Sequence, residues 1–199
     1  YMALKYLRRS DGFMKLWIDA ISINQWDQVE RSWQVPRMAR IYSHAEQVIV
    51  WLGEPNDALN LGVTLMDQLS LAEDEGQFRH TWKRNKHQVG SLEMLWQLSW
   101  WSRTWVIQEV VSAKSARICI GHEVREWDDF GRAILLIGEH VEGRYQSSEF
   151  KTVHQFVEFV KMVQSSQSRL VQQSLLELAQ YFRGRQATDP RDKIYGLMG

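Results

Sequence analysis

The sequence contains almost no cysteine, since Cys119 is its only thiol. One cysteine excludes an internal disulfide framework and a cysteine-ligated zinc site, and it favours an intracellular location. Charge of one sign is also lacking, with 24 Lys and Arg against 24 Asp and Glu. A general nucleic-acid binder needs a basic excess, so no nucleic-acid partner is expected. No apolar run is long enough to span a bilayer and no signal peptide is recognisable, which predicts a cytoplasmic protein without a membrane span.

The short motifs of the familiar catalytic and nucleotide-binding sites are absent as well. GxGxxG, GxxxxGK, HExxH and GxSxG do not occur in the chain. The six histidines are scattered without the spacing of a metal site. We therefore expect no metal and no resident cofactor.

What the sequence has instead is ten tryptophans and a regular series of apolar segments. Tryptophans bury large areas, so most of them are expected in a core. The first quarter of the chain alternates helix, strand, helix and strand, with strands predicted at 15–21 and 47–52. Such alternation indicates a parallel sheet with covering helices. A third strand is predicted at 116–120, and 123–127 is interpreted as a hairpin arm.

Helical periods account for most of the remaining chain. They are predicted at 2–9, 31–45, 57–71, 92–113 with a break near 99–102, and in the amphipathic segments after 128. The polar, irregular residues after 71 are interpreted as a long surface insertion. The fold is therefore predicted as α/β, with a helix-rich insertion and a helical C-terminal half. We expect a single domain over 1–199, with an α/β part at 1–127 and a mainly helical part at 128–199.

The first candidate site is Asp19 with Asn24 and Gln25. Asp19 follows apolar residues at the predicted end of a buried strand, where open parallel sheets bind ligands. A carboxylate in that position costs free energy unless it is paired or used. The alternative is local: Asp19 caps the amides of its own loop, while Asn24 and Gln25 fix the turn.

The second candidate site is the segment RTWVIQEV. On a continuous helix Trp101, Trp105 and Glu109 are spaced four apart and share one face. A carboxyl group beside indole rings is partly desolvated, which raises its pKa and suits a general acid or base, or a nucleophile. The alternative is a structural ion pair between Glu109 and an arginine such as Arg103 or Arg117.

Three segments stand out together: LWIDAISINQWDQVERSWQVPRMARIYSHAEQVIVWLG at 16–53, SRTWVIQEVVSA at 102–113 with RICIG behind it, and ATDPRDKIYGLMG at 187–199. In this order they resemble the heterokaryon incompatibility (HET) domain of filamentous fungi. The chain departs from the family at Ser22, where the family usually has cysteine, and at Pro36, where the family's helix is unbroken. The family's opening strand, an ALSYxWG-like block, is expected to precede Tyr1 in a longer protein.

The resemblance implies a cell-death effector in nonself recognition between fungal cells. HET domains are similar to TIR domains, which have a flavodoxin-like fold and in some cases cleave NAD with a glutamate in a W-C-x-x-E-like helix. Trp105 and Glu109 have the same spacing, so the resemblance makes Glu109 the candidate catalytic residue. Asp19, Asn24, Gln25 and Trp105 would line the NAD site and face Glu109. The alternative is a non-enzymatic module that signals by assembling with itself or with a protein partner.

Overall fold

A three-stranded sheet forms one part of the molecule, in the order β1–β2–β3. The strands are β1 (Val48–Gly53), β2 (Ala116–Ile120) and β3 (Glu123–Glu126). β1 and β2 run parallel, with Val48 opposite Ala116, and β2 and β3 run antiparallel. The structure is a computed structural model that describes residues 1–8, 10, 12–141, 147–165, 174–187 and 189–197.

The strands form where β-branched residues alternate between a buried and a partly exposed face. The hairpin between β2 and β3 turns at Gly121–His122, and Gly121 has a φ of 58°. A Cβ atom there would come within 2.8 Å of the Pro55 ring, so the turn requires glycine for its conformation and for its space. The buried Val48 and Val50 of β1 lie opposite the buried Ala116 and Ile118 of β2, and the register shifts between Trp51 and Gly53.

Twelve α-helices are described in the ranges given above. Side chains cap the starts of several of them by accepting backbone N–H groups, among them Asp27, Asn56, Asp74 and Ser174. Short 3₁₀ turns lie at Val35–Arg37, Lys86–Gln88 and Ser99–Ser102. The helices are α1 (Met2–Leu7), α2 (Asp19–Ser22), α3 (Gln28–Gln34), α4 (Met38–His44), α5 (Asp57–Ser70), α6 (Glu75–Arg84), α7 (Val89–Trp96), α8 (Val106–Val111), α9 (Trp127–His140), α10 (Ser148–Ser165), α11 (Leu175–Tyr181) and α12 (Asp192–Tyr195).

The core is an aromatic cluster surrounded by aliphatic side chains. Helix α5 packs on α7 and α9, and α10 packs on α7, α8 and α9. Ring centroids in the cluster lie 4.9 to 6.4 Å apart, in mostly tilted or edge-to-face arrangements. The cluster consists of Trp100, Trp101, Trp127, Phe130 and Phe156.

The predicted mixed α/β architecture is confirmed at the level of a small sheet with many helices. The strands predicted at 47–52 and 116–120 and the hairpin arm at 123–127 are present, and β1 and β2 are parallel as expected. The break near 99–102 is also confirmed. The TIR/flavodoxin-like arrangement and the division of the chain near residue 127 stay predictions.

The strand predicted at 15–21 is wrong. The chain from Phe13 to Ile18 has no regular structure, and helix α2 begins at Asp19. Local hydrogen bonds prevail there, because the Ile18 carbonyl accepts from the N–H groups of Ile21 (2.9 Å) and Ser22 (2.7 Å). Backbone groups used within one turn cannot join a sheet, so apolar composition alone was misleading.

The irregular surface insertion predicted after residue 71 is also wrong. Helix α6 occupies Glu75–Arg84 and is capped by Asp74, whose side chain accepts from the Gln77 N–H (2.8 Å). Its Phe78 is buried and stacks on Trp82 with ring centroids 6.0 Å apart. Two aromatic residues one turn apart suffice to anchor a helix that is otherwise polar.

Two leucines of α5 test the position of the core. Leu65 is completely buried, whereas Leu61 on the same helix is almost half exposed. Leu65→Ala is expected to lower the free energy of unfolding by roughly 2–5 kcal/mol, because it leaves a cavity. Leu61→Ala serves as the matched control and should change it by no more than about 0.5 kcal/mol. Denaturant unfolding of the two variants measures the difference, and equal losses would contradict the packing described here.

Candidate functional site

A cleft of about 630 Å³ lies where three separate parts of the chain meet. Lining residues between 19 and 38 form one wall, Arg103 and Trp105 just before α8 form the second, and Gln186, Ala187 and Asp192 form the third. These parts belong to, or directly adjoin, the three segments singled out in the sequence. Trp105, Val35 and Met38 are among the apolar lining residues. The polar lining residues are Asp19, Gln25, Arg31, Arg103, Gln186 and Asp192.

The first wall is shaped by hydrogen bonds within the loop that follows α2. The Asp19 carboxylate accepts from the Ala20 N–H (2.7 Å), and the Gln25 side chain donates to the Asp19 carbonyl (2.9 Å). Asn24 accepts from the Trp26 N–H (3.1 Å) and does not line the cleft. The local alternative therefore describes how this loop is held. It does not prevent Asp19 and Gln25 from facing the cleft.

Helices α3 and α4 continue this wall on either side of Pro36. Asp27 caps α3 by accepting from the Val29 (2.8 Å) and Glu30 (3.1 Å) N–H groups. The Glu30 side chain accepts from the Asn24 N–H (3.1 Å), so it ties the loop to the helix. Proline lacks the N–H that a continuous helix needs, and a 3₁₀ turn separates α3 from α4 at this point.

A backbone bridge joins the second wall to the third. The Thr104 N–H donates to the Gln186 carbonyl (3.0 Å), and the Gln186 N–H donates to the Ser102 carbonyl (2.6 Å). Farther along, the buried Gln108 side chain of α8 donates to the Tyr195 carbonyl of α12 (2.8 Å). The bridge and this hydrogen bond fix residues 186–192 opposite the loop that follows α2.

Arg185 reinforces this bridge from inside the protein. Its guanidinium group donates to the carbonyls of Trp101 (2.7 Å) and Arg103 (2.9 Å). The rings of Phe156 and Phe182 lie 4.5 and 5.2 Å from it. Burial lowers the pKa of this guanidinium, and only 2% of the residue is exposed.

Glu109 lies one turn after Trp105, whose carbonyl accepts the Glu109 N–H (3.3 Å). Burial raises the pKa of its carboxyl group to about 7. The positive charge of Arg103 lowers this pKa and the negative charge of Asp19 raises it, while Trp100 makes a smaller lowering contribution. Glu109 is not itself a lining residue of the cleft. Since Asp19 and Arg103 do line it and both act on Glu109, the carboxyl group lies close behind the lining.

Tyr42 of α4 belongs to the same charged group. Burial strongly raises the pKa of its hydroxyl, and the charges of Glu109 and then Asp19 raise it further. The ring also packs edge-on against Trp17, with centroids 5.7 Å apart. No local signal in the sequence places the Tyr42 hydroxyl within electrostatic reach of these two acids.

Two details of the predicted site need correction. Trp101 does not share a helix face with Glu109, because the 3₁₀ turn at Ser99–Ser102 interrupts the four-residue spacing. Trp101 is buried in the core and donates its indole N–H to the Leu95 carbonyl (2.8 Å). Trp100, rather than Trp101, is the tryptophan that acts on the Glu109 carboxyl group and lowers its pKa.

The structural ion pair considered for Glu109 is not formed by either arginine. Arg117 pairs with Glu126 at 2.6 Å. Arg103 acts on Glu109 electrostatically, yet among the side chains described it pairs with no carboxylate. The sequence-predicted proximity of the Asp19 loop and Glu109 is present in the structure. The catalytic and binding roles assigned to these residues stay predictions.

The described ranges contain neither a cluster of metal-binding side chains nor a helix that could cross a membrane. No group of three or more His, Cys, Asp or Glu side chains is arranged there to hold a metal ion. None of the helices in those ranges combines the length and the apolar character that a bilayer crossing requires.

Comparison with known proteins gives the chain its family. The profile of the family described as "Heterokaryon incompatibility protein (HET)" matches residues 1–109, more than half of the chain. The chain belongs to the HET family. It is 25% identical to heterokaryon incompatibility protein 6, OR allele, of Neurospora crassa over 241 aligned positions, which cover 98% of the chain and 35% of that relative. The chain thus spans about a third of the length of this curated relative, and no solved structure matches it.

The HET match contains all five residues predicted for the site, from Asp19 to Glu109. The third wall of the cleft, at 186–192, lies beyond the matched residues. The cleft is therefore assembled from the HET-matched part and a later segment held to it by the bridge at Gln186.

Glu109 makes folding stability depend on pH. Its folded pKa of about 7 lies above the ordinary value of 4.5, so its contribution to stability is present below pH 4.5 and is lost as pH rises through 7. Glu109→Gln mimics the protonated form. Its gain in unfolding free energy over the wild type is expected to grow by roughly 2–3 kcal/mol between pH 5 and pH 8.

Urea unfolding at the two pH values measures this gain. Glu46→Gln is the control, because Glu46 is exposed and lies outside the cleft lining. A Glu109→Gln variant with the same pH dependence as the wild type would show that the carboxyl group is not held near neutrality.

Proposed function

We propose that this chain is the effector part of a fungal heterokaryon incompatibility protein, which causes cell death after nonself recognition. Its HET family membership and its similarity to the Neurospora crassa protein support this assignment. The relative is almost three times longer than the matched chain, so recognition of the nonself partner is assigned to the complete protein rather than to this part.

The reaction we infer is hydrolysis of NAD at the nicotinamide bond, which makes the chain an NAD glycohydrolase. The observation that carries it is the position of Glu109, one helical turn after Trp105 and within electrostatic reach of Asp19, both of which line the cleft. A carboxyl group with a pKa near the working pH is available both as an anion and as a proton acceptor.

The chemistry assigns one task to each of these side chains. As the bond from ribose C1′ to the nicotinamide nitrogen breaks, its electron pair leaves with nicotinamide and C1′ becomes oxocarbenium-like. The anionic Glu109 stabilises this cation, and the charge of Asp19 adds to the negative potential. Water then adds to C1′, and its released proton passes to the Glu109 carboxylate and on to solvent. Trp105 supplies an aromatic wall for the nicotinamide ring.

Access to Glu109 requires a side-chain movement, since Glu109 does not line the cleft in this structure. Arg103 is the side chain best placed to move, because it is exposed, lines the cleft and acts on Glu109. Catalytic contacts are often loose in an unliganded enzyme and tighten when the substrate binds.

Nicotinamide release by the purified full-length protein tests the reaction. Under conditions that induce self-association, the wild type is expected to release nicotinamide from NAD. Glu109→Gln is expected to lower the rate at least about 100-fold, because the group that stabilises the cation and accepts the proton is lost. Glu46→Gln should keep the wild-type rate. If the folded and assembled wild type releases no nicotinamide, the enzymatic proposal fails.

An exposed aromatic face favours a second candidate, a non-enzymatic module that signals by assembling with a second copy of itself. Trp26 is 95% and Trp33 65% exposed, and Val29, which lies between them in the sequence, is also exposed. Exposed apolar patches of this kind often mark interaction surfaces. Arg37 covers one side of the Trp33 ring, with its guanidinium carbon 3.3 Å from the ring centroid.

The Trp26→Ser/Trp33→Ser double variant distinguishes the two candidates. If the chain is a non-enzymatic module, this double variant is expected to lose self-association and cell killing, whereas Glu109→Gln keeps both. If the chain is an enzyme, Glu109→Gln is expected to abolish cell killing while self-association, measured by light scattering, is unchanged.

A further inference from the structure

The wall that carries Arg103 has an uncompensated positive charge behind it. Arg185 is buried, and its Nε and Nη2 atoms have no hydrogen-bond partner. Within the described part of the chain no carboxylate pairs with it, and its contacts are two carbonyl oxygens and two aromatic rings. A guanidinium group stays protonated at neutral pH. The hydrogen bond from Arg185 to the Arg103 carbonyl places this group next to the backbone of a residue that lines the cleft.

Two further guanidinium groups face the cleft from different elements. Arg103 stands on the bridged wall, where its carbonyl accepts from Arg185 (2.9 Å), and Arg31 stands on the opposite helix α3. Neither forms an ion pair with a carboxylate of the described residues. Asp189 is close enough to Arg31 for an electrostatic effect, but its carboxylate forms an ion pair with Arg191 (2.6 Å).

These charges are arranged for a ligand that carries both signs. Asp19 and Glu109 supply the negative charges, and Asp19 acts electrostatically on Glu109. Arg31 and Arg103 supply donors that no protein acid uses, and guanidinium groups match phosphate oxygens in geometry and charge. Unpaired arginines in water need no explanation. Arg185, however, is buried without an anionic partner next to the wall that carries Arg103, and a buried cation is costly unless an anion offsets it.

We propose that Arg31 and Arg103 form the phosphate subsite of the cleft and hold the diphosphate group of a nucleotide ligand. The identification of that ligand with NAD rests on the proposed function, whereas the subsite itself rests on the charges just described. The negatively charged diphosphate would then lie between the two arginines, and the positively charged nicotinamide ring would contact Asp19 and Glu109.

Calorimetric titration of the full-length protein tests the subsite with three probes: inorganic pyrophosphate, ADP-ribose and nicotinamide riboside, which has no phosphate. The wild type is expected to bind pyrophosphate and ADP-ribose. Arg103→Gln and Arg31→Gln should each raise the Kd for both probes at least about tenfold, because one charge-assisted phosphate contact is lost. Arg31→Gln should leave the binding of nicotinamide riboside unchanged, since Arg31 is not among the groups that act on Glu109. Arg40→Gln is the control, since Arg40 is exposed on α4 and does not line the cleft.

The outcomes separate this subsite from the proposed reaction. The subsite is overturned if the wild type binds no pyrophosphate at millimolar concentration, or if folded Arg103→Gln and Arg31→Gln variants bind ADP-ribose like the wild type. Loss of ADP-ribose binding in both variants, with no nicotinamide release by the wild type, supports the subsite while the NAD reaction fails. Unchanged KM for NAD in both variants, with nicotinamide release intact, supports the reaction while the subsite fails.

Discussion

The bridge between residues 102–104 and Gln186 is the interaction on which the rest of the site depends. Two backbone hydrogen bonds connect chain segments 82 residues apart in sequence, and Arg185 ties the same segments together through the Trp101 and Arg103 carbonyls. Because the bridge fixes the backbone on both sides of Arg103, it also orients the start of α8, which carries Trp105 and Glu109. Without the bridge, residues 186–192 would not face the HET-matched part, and the cleft would lose one of its three walls.

The elements that could be predicted from the sequence are those whose pattern is local. β1 alternates buried and partly exposed residues, β2 is a short and mostly buried apolar run, and Gly121 marks the hairpin between β2 and β3, so these strands were found. The segment 15–21 has a similar apolar composition but closes its hydrogen bonds within one turn, and composition does not reveal that choice. Likewise, the spacing of Trp101 and Glu109 has its helical meaning only on an unbroken helix. The 3₁₀ turn before α8 brings Trp100 to the carboxyl group instead.

The site itself was predictable only in part, because its walls meet through long-range contacts. The acid at Asp19 and the acid at Glu109 each stood out in the sequence, and the structure places them within electrostatic reach of each other. Tyr42, Arg31, Arg185 and Gln186 did not stand out, since their importance comes from distant segments that surround them. The resulting site carries acidic and basic side chains together with apolar lining residues, and the charges suit a charged ligand better than a lipid.

The central claim is that Glu109 is a near-neutral carboxyl group that belongs to the cleft. A carbon-13 NMR titration of the glutamate side-chain carboxyl groups, with and without ADP-ribose, tests it most directly. The account predicts one resonance that titrates at about pH 7, is missing in Glu109→Gln and changes its titration midpoint when ADP-ribose is bound. A Glu109 resonance that titrates near its ordinary value of 4.5, or one that does not respond to ADP-ribose, would contradict the account.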